Sequence, residues 1–164
     1  MNAMKKTNAV RILDNLGISY QLKQYEVDPD DLAATTVAHK IGLPPEQVFK
    51  TLLTTTGTGE YVFAVIAGNA QLDFKKLARA AGARKAEMVG LKELQPLTGY
   101  LRGAVTILGA TKNFAAFVDQ TIELFDVISV SAGMRGLQVL LSPGDYLRST
   151  GAALADLSKE APRP

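Results

Sequence analysis

Apolar positions recur along this chain with two different periods, and the switches between them predict its elements. From Thr7 to Leu16, Val10, Leu13 and Leu16 share one helical face, and Gly17 supplies the stop. From Ile18 to Val27 the period drops to two. Ile18, Tyr20 and Leu22 point one way, Tyr25 and Val27 the other, and Asp28-Pro29 ends this strand. Asp31 to Ile41 reads as a second helix closed by Gly42, and Pro44-Pro45 opens a short third. Phe49 to Thr56 and Tyr61 to Ala67 are apolar, threonine-bearing runs around Gly57-Thr58-Gly59-Glu60, which is a hairpin pattern. Asp73 caps a helix from Phe74 to Ala81 that ends at Gly82.

The second half is strand-rich. Arg84 to Met88 is a short strand pattern, and Leu91 to Leu94 fits one helical turn before Pro96. Strands are expected near Ala104–Leu108, Ala115–Val118, Val127–Val130 and Leu137–Ser142. Pro143 starts a terminal helix, and the polar tail 158–164 is expected to fray. Several strand connections are too short for parallel crossovers. That favours an α+β fold with a mixed, mostly antiparallel sheet, in one domain spanning 1–164.

One segment fits no regular element. Three glycines frame a short apolar run in Thr98-Gly99-Tyr100-Leu101-Arg102-Gly103-Ala104-Val105-Thr106-Ile107-Leu108-Gly109, so the backbone must turn or approach something closely. A second glycine-bearing turn, Ser131-Ala132-Gly133-Met134-Arg135-Gly136, lies between the last two strands. Glycine turns can aim N–H groups at an oxyanion.

Composition narrows the chemistry these turns could serve. With no cysteine, the 164 residues hold no disulfide, thiolate metal site or thiol nucleophile. With one histidine, His39, and no G-x-S-x-G elbow, a Ser-His-Asp triad is unsupported, and so is a histidine-rich zinc site. Neither a Walker loop nor a strand-coupled G-x-G-x-x-G is present. No run approaches the ~20 apolar residues of a membrane span, and the polar first eight residues carry no apolar signal core, which fits a cytoplasmic protein. The net charge of +2 is small, but Lys75, Lys76, Arg79, Arg84, Lys85 and Lys92 cluster. That cluster reads either as a solvated helix face or as a patch that meets phosphates. Lys50 opens an otherwise apolar strand, and there it either snorkels to solvent or points into a cleft, as an anion or carbonyl ligand or, with a lowered pKa, as a base. Tyr25, taken alone, is a packing residue with a satisfied hydroxyl.

Six ordered landmarks go further. They are Tyr25-Glu26-Val27-Asp28, Gln47-Val48-Phe49-Lys50-Thr51-Leu52, Leu72-Asp73-Phe74-Lys75-Lys76-Leu77-Ala78, Glu87-Met88, Thr98-Gly99-Tyr100-Leu101-Arg102-Gly103, and Val130-Ser131-Ala132-Gly133-Met134-Arg135-Gly136-Leu137. Together, from Lys6 to Asp156, they resemble the YbaK-type Cys-tRNA(Pro) deacylases, in the superfamily of the prolyl-tRNA synthetase editing domain. The resemblance implies a barrel-like mixed sheet with surrounding helices. It implies trans-editing hydrolysis of the ester of mischarged tRNA, with no metal or other cofactor. The substrate cysteine's own thiol would attack, leaving as a thiolactone. Lys50, Tyr25 and Gly103 match the family's catalytic positions, and Thr106, Ser131, Gly133 and Gln138 its substrate-binding ones. Lys75, Lys76 and Arg135 are the expected contacts to the tRNA acceptor end, with prolyl-tRNA synthetase as a partner.

The chain departs from the family in two places. Where the family commonly reads Gly-Gly-(Ile/Val)-Ser-Pro, this chain has Gly103-Ala104-Val105-Thr106-Ile107, and Gln138 replaces a frequent aspartate. Those departures leave room for a deacylase acting on another small amino acid such as alanine, and for a non-catalytic tRNA- or synthetase-binding paralogue. The modest net charge leaves room for a small-molecule hydrolase, which would show no salt-dependent affinity for tRNA.

Overall fold

A computed structural model describes residues 6–160. Five helices surround two sheets. The helices are α1 (Asn8–Asn15), α2 (Ala34–Ile41), α3 (Phe74–Ala81), α4 (Leu91–Thr98) and α5 (Pro143–Thr150). β4 (Glu87–Met88), β2 (Phe49–Gly57), β3 (Glu60–Ala67), β5 (Ala115–Asp119) and β8 (Ala153–Ala155) lie side by side in that order. The second sheet runs β1 (Gln21–Gln24), β7 (Leu137–Leu141), β6 (Ile128–Met134). The β3–β5 and β5–β8 ladders are parallel and the others antiparallel, so the sheet is mixed, as expected. A parallel bridge from Val48 to Ser129 fastens β2's start to β6 and gives the barrel-like closure. The main core fills the space between the sheets, with Phe49, Val65 and Val118 from one and Ile128, Val130 and Val139 from the other.

Local chemistry explains the well-read elements. Thr7 Oγ1 accepts from the Val10 N–H to cap α1, and Asp73 accepts from the Lys75 and Lys76 N–H groups to cap α3. Gly42 and Gly82 end α2 and α3 in the left-handed region.

Other elements differ from their expected form. The first strand shrinks to Gln21–Gln24 because it pairs only with β7 and lies exposed on the sheet's edge. Helix α2 starts at Ala34, not Asp31, because the Asp31 carboxylate folds the chain into a turn by accepting from the Ala33 N–H and the Thr36 hydroxyl. Pro44-Pro45 opens a single 3-10 turn over Pro45–Gln47. Helix α4 runs on through Pro96 to Thr98, whose hydroxyl donates to the Leu94 carbonyl. No strand forms over 104–108. Gly103 (φ +87°) and Gly109 (φ +72°) turn the backbone, and the Ala104 and Ala110 N–H groups close tight turns on Leu101 and Ile107.

Strand β8 has no counterpart in the sequence pattern, and the start of the expected frayed tail is tied down by other elements. The Lys159 N–H donates to the Gln71 carbonyl. The buried Asp119 carboxylate accepts from the Leu157 and Ser158 N–H groups at 2.8 and 3.1 Å, and also from Thr121. Residues 161–164 lie outside the described residues, as do the first five of the expected polar start.

Burial raises the Asp119 pKa, but the hydrogen bonds outweigh it and hold the carboxyl below its ordinary value. Its contribution to stability is therefore complete above that ordinary value of 3.8 and is lost as pH falls through the lower folded value. Asp119→Asn should cost about 2–3 kcal/mol in urea unfolding at pH 7 and should flatten the acid limb of the stability curve.

Candidate active site

The antiparallel β2–β3 ladder sets Lys50 opposite Ile66, at the end of β2 where β3 runs out into Gly68. The Gly68 N–H donates to the Val48 carbonyl at 2.6 Å, and a Cβ there would stand 2.9 Å from that oxygen, so only glycine permits the approach. The Gly68 carbonyl then accepts from Lys50 Nζ at 3.1 Å. Lys50 is half-buried and points into a cavity of about 650 Å³, so it does not snorkel out to solvent. Burial pushes its pKa down, because the charged form loses water without gaining a carboxylate.

Five further segments wall this cavity. The first turn of α2 brings Ala34 and Thr35, and the stretch after β3 brings Asn69 and Gln71. The β4–α4 junction contributes an apolar lip of Met88, Val89 and Leu91. The glycine-framed segment contributes Arg102, Gly103 and Val105, and the three-stranded sheet contributes Ser131 and Gln138.

Lys50, Gly103, Ser131 and Gln138, four of the residues that the resemblance singles out, thus line one cavity. Ser131 Oγ donates to the Ala104 carbonyl at 2.8 Å and accepts from the Gly133 N–H at 3.1 Å, so it bolts one glycine turn to the other. Gln138 is 5% exposed, and its Oε1 accepts from Ser129 Oγ at 2.8 Å. Gly103 sits where a Cβ would meet the Leu32 side chain at 3.3 Å.

Three expected site residues stand elsewhere. Tyr25 packs with Ala38, Ile41 and Val48 and forms none of the cavity wall. Thr106 is fully buried behind the wall, where its hydroxyl accepts from the Leu108 N–H at 3.4 Å. Gly133 faces the Tyr100 ring, which would touch a Cβ at 2.9 Å.

The expected acceptor-end contacts also divide. Lys76 is committed to Asp156 and to the Ser158 carbonyl, where it anchors the C-terminal segment. Lys75 is exposed on α3, away from the cavity walls. Arg135 Nε donates to the Arg102 carbonyl at 2.8 Å, which sets two arginines together at the rim. Sequence reasoning missed Arg102 and Gly68. A lone arginine and a lone glycine carry no spacing signal, although Arg102 lies inside the glycine-framed segment and Gly68 directly follows the expected Tyr61–Ala67 strand.

Among the described residues, the charged groups on the cavity wall are Lys50 and Arg102. No Asp, Glu or His lines it, and His39 is exposed on α2. No cluster of three or more potential metal ligands occurs among the described residues. The arrangement can hold and polarise an anionic or carbonyl-bearing group, but it offers no evident protein base or nucleophile.

Comparison with known proteins places this geometry. The aminoacyl-tRNA editing domain family model matches residues 28–149. The chain is 38% identical over 154 residues, 94% of each chain, to EbsC of Enterococcus faecalis, whose name provisionally gives it Cys-tRNA(Pro)/Cys-tRNA(Cys) deacylation. It is 30% identical over 106 residues, 64% of each chain, to the Escherichia coli multifunctional Ser/Thr-tRNA deacylase ProXp-y. A crystal structure described as a candidate trans-editing enzyme for prolyl-tRNA synthetase superposes with a TM-score of 0.78. It covers 96% of this chain and 100% of its own at 21% identity, and so speaks for the fold.

Gly133→Ala puts a methyl against the Tyr100 ring at a φ of +91°. It should cost about 2 kcal/mol or more in urea unfolding. Gly144→Ala, where a Cβ meets nothing within 4 Å, is the control and should leave the midpoint nearly unchanged.

Proposed function

The chain belongs to the aminoacyl-tRNA editing domain family, and on that premise we propose that it is a trans-editing aminoacyl-tRNA deacylase whose foremost substrate is Cys-tRNA(Pro). The observation that carries this reading is the half-buried Lys50 in a cavity shared with Gly103 and Ser131, with no protein base beside it. Such a site suits a substrate that brings its own nucleophile.

In this reading the Lys50 ammonium holds an oxygen of the terminal ribose or phosphate and positions the ester. Gly103 presents backbone to the aminoacyl group. Ser131 keeps that backbone in place through Ala104, and its proton is already committed there. With a cysteinyl ester, the substrate Sγ bonds to the carbonyl carbon, the carbon–oxygen bond to the ribose breaks, and the thiol proton passes to the ribose oxygen. A thiolactone leaves. The naming of EbsC for Cys-tRNA supports the cysteinyl choice. ProXp-y, named for Ser/Thr-tRNA, makes serine the nearest competitor, with water as the attacking group.

Arg102 and Arg135 at the rim suit the acceptor-end phosphates. So small a surface reads little of a whole tRNA, so we also propose that prolyl-tRNA synthetase supplies tRNA identity, and that the protein works in the cytoplasm. Among the described residues no helix is long and apolar enough to cross a membrane.

Purified protein should release amino acid from Cys-tRNA(Pro). Lys50→Ala should lower kcat/KM at least 100-fold without lowering the unfolding midpoint, and wild type that releases nothing from Cys-, Ser- or Ala-charged tRNA would sink the reading. Arg102→Ala should weaken tRNA binding and lower the slope of log Kd against log salt by roughly one.

A further inference from the structure

The substrate of this reaction carries an amine, and the cavity is built without a counter-charge for it. Both charged side chains on its wall, Lys50 from β2 and Arg102 from the glycine-framed segment, are cations. The other elements add nothing that ionises: α2's first turn brings Ala34 and Thr35, the stretch after β3 brings Asn69 and Gln71, and the β4–α4 lip is apolar. β6 and β7 bring Ser131 and Gln138.

Two backbone carbonyls at the site are already engaged. The Gly68 carbonyl holds Lys50, and the Ala104 carbonyl holds Ser131. Gln138 spends its Oε1 on Ser129, which leaves its Nε2 as the end available to a ligand, and that end donates. An ammonium brings three donors and a positive charge, and at Gln138 it would meet a donor, on a wall whose charges are both positive. A free amine brings a lone pair that the Gln138 amide can satisfy.

Resting on the deacylase reading above, we propose that this cavity selects the aminoacyl ester with its α-amine unprotonated, and that Gln138 is the specificity residue, donating from Nε2 to the amine nitrogen. Proton loss from the amine into solvent precedes binding. An α-amine titrates near about 7.7–8.0, so the competent form is the minor one at pH 6 and becomes the major one above pH 8. Gln138→Glu supplies an acceptor and a negative charge at the same place, and should convert the site to one that takes the ammonium.

The test uses the intact protein and a non-hydrolysable, thiol-free mimic of the cysteinyl end, 3′-deoxy-3′-(L-2-aminobutyrylamino)adenosine, with the butyryl analogue that lacks the amine as control. Calorimetry at pH 6 to 9, in buffers of different ionisation enthalpy, reads both Kd and protons exchanged. For wild type the amine-bearing ligand should tighten about tenfold per pH unit below the amine pKa and release close to one proton at pH 6. The amine-free ligand should do neither. Gln138→Glu should bind the amine-bearing ligand more tightly than wild type at pH 6, with the proton release gone.

A pH-independent Kd with no proton released overturns the proposal. An equal slope for the amine-free ligand does so too, because it assigns the proton to a protein group such as Lys50. No binding of either ligand at any pH overturns it as well. Deacylation of charged tRNA is scored separately, so loss of the amine rule leaves the deacylase reading standing. The comparison of the two ligands on wild type holds even if Gln138→Glu does not fold.

Discussion

The Tyr100 ring is the wedge on which the site's geometry depends. Its hydroxyl donates to the Leu108 carbonyl at 2.5 Å, eight residues further on, and so closes the glycine-framed segment into a loop. Burial pushes the phenol pKa up to about 12, so it stays a donor across the working range. Two glycines admit the ring. A Cβ on Gly109 would stand 2.8 Å from its hydroxyl, and one on Gly133 would stand 2.9 Å from its edge. One tyrosine thereby sets the distance between the two glycine turns, and the Ser131–Ala104 hydrogen bond locks their relative register. Arg102, Gly103 and Val105 reach the cavity because this loop is held from behind.

The opposite wall solves a different problem. A lysine half-removed from water and lacking a carboxylate partner is costly, and the cost appears as its lowered pKa. The Gly68 carbonyl offsets part of it, and that carbonyl is available because the β3 backbone turns tightly over Val48. The uncompensated remainder keeps the ammonium ready for an anionic or strongly dipolar ligand. A structural lysine shows the contrast: Lys76, held by Asp156 and the Ser158 carbonyl, has its pKa raised by that carboxylate. The two lysines thus serve opposite ends.

What the sequence made legible follows from the range of the interactions. Caps and hairpins are local, so Asp73, Gly42, Gly82 and the turn between β2 and β3 could be read directly, along with the α+β class. Strand β8 and the Asp119 latch join residues nearly forty positions apart and leave no periodic trace. The 104–108 segment misleads because its apolar residues are buried as a loop, and burial alone mimics a strand. In the site, the resemblance brought Lys50, Gly103, Ser131 and Gln138 together. It could not show that Thr106 and Gly133 act from behind the wall, that Tyr25 packs on α2, or that Lys76 is already engaged.

This distinction between wall and backing decides what the family departures do. Ala104 and Thr106 are buried, and neither they nor Ile107 reach the cavity. Their changes bear on how stiffly the Tyr100 loop is held. Gln138 alone among the departures reaches the cavity itself. It is also held by a buried hydrogen bond to Ser129, so it cannot swing aside when a ligand enters without leaving that hydroxyl unpaired. On the proposed reading, a neutral amide fixed on a wall that carries two cations makes the cavity a discriminator of charge before it is a discriminator of size. Selection among small side chains then falls to the space between Gly103 and Ser131, where a methylene more or less is worth only about 1–3 kcal/mol. In the proposed cysteinyl reaction, chemistry that needs the substrate's own thiol supplies a second filter, and the two together can separate cysteine from alanine more sharply than the pocket's shape could alone.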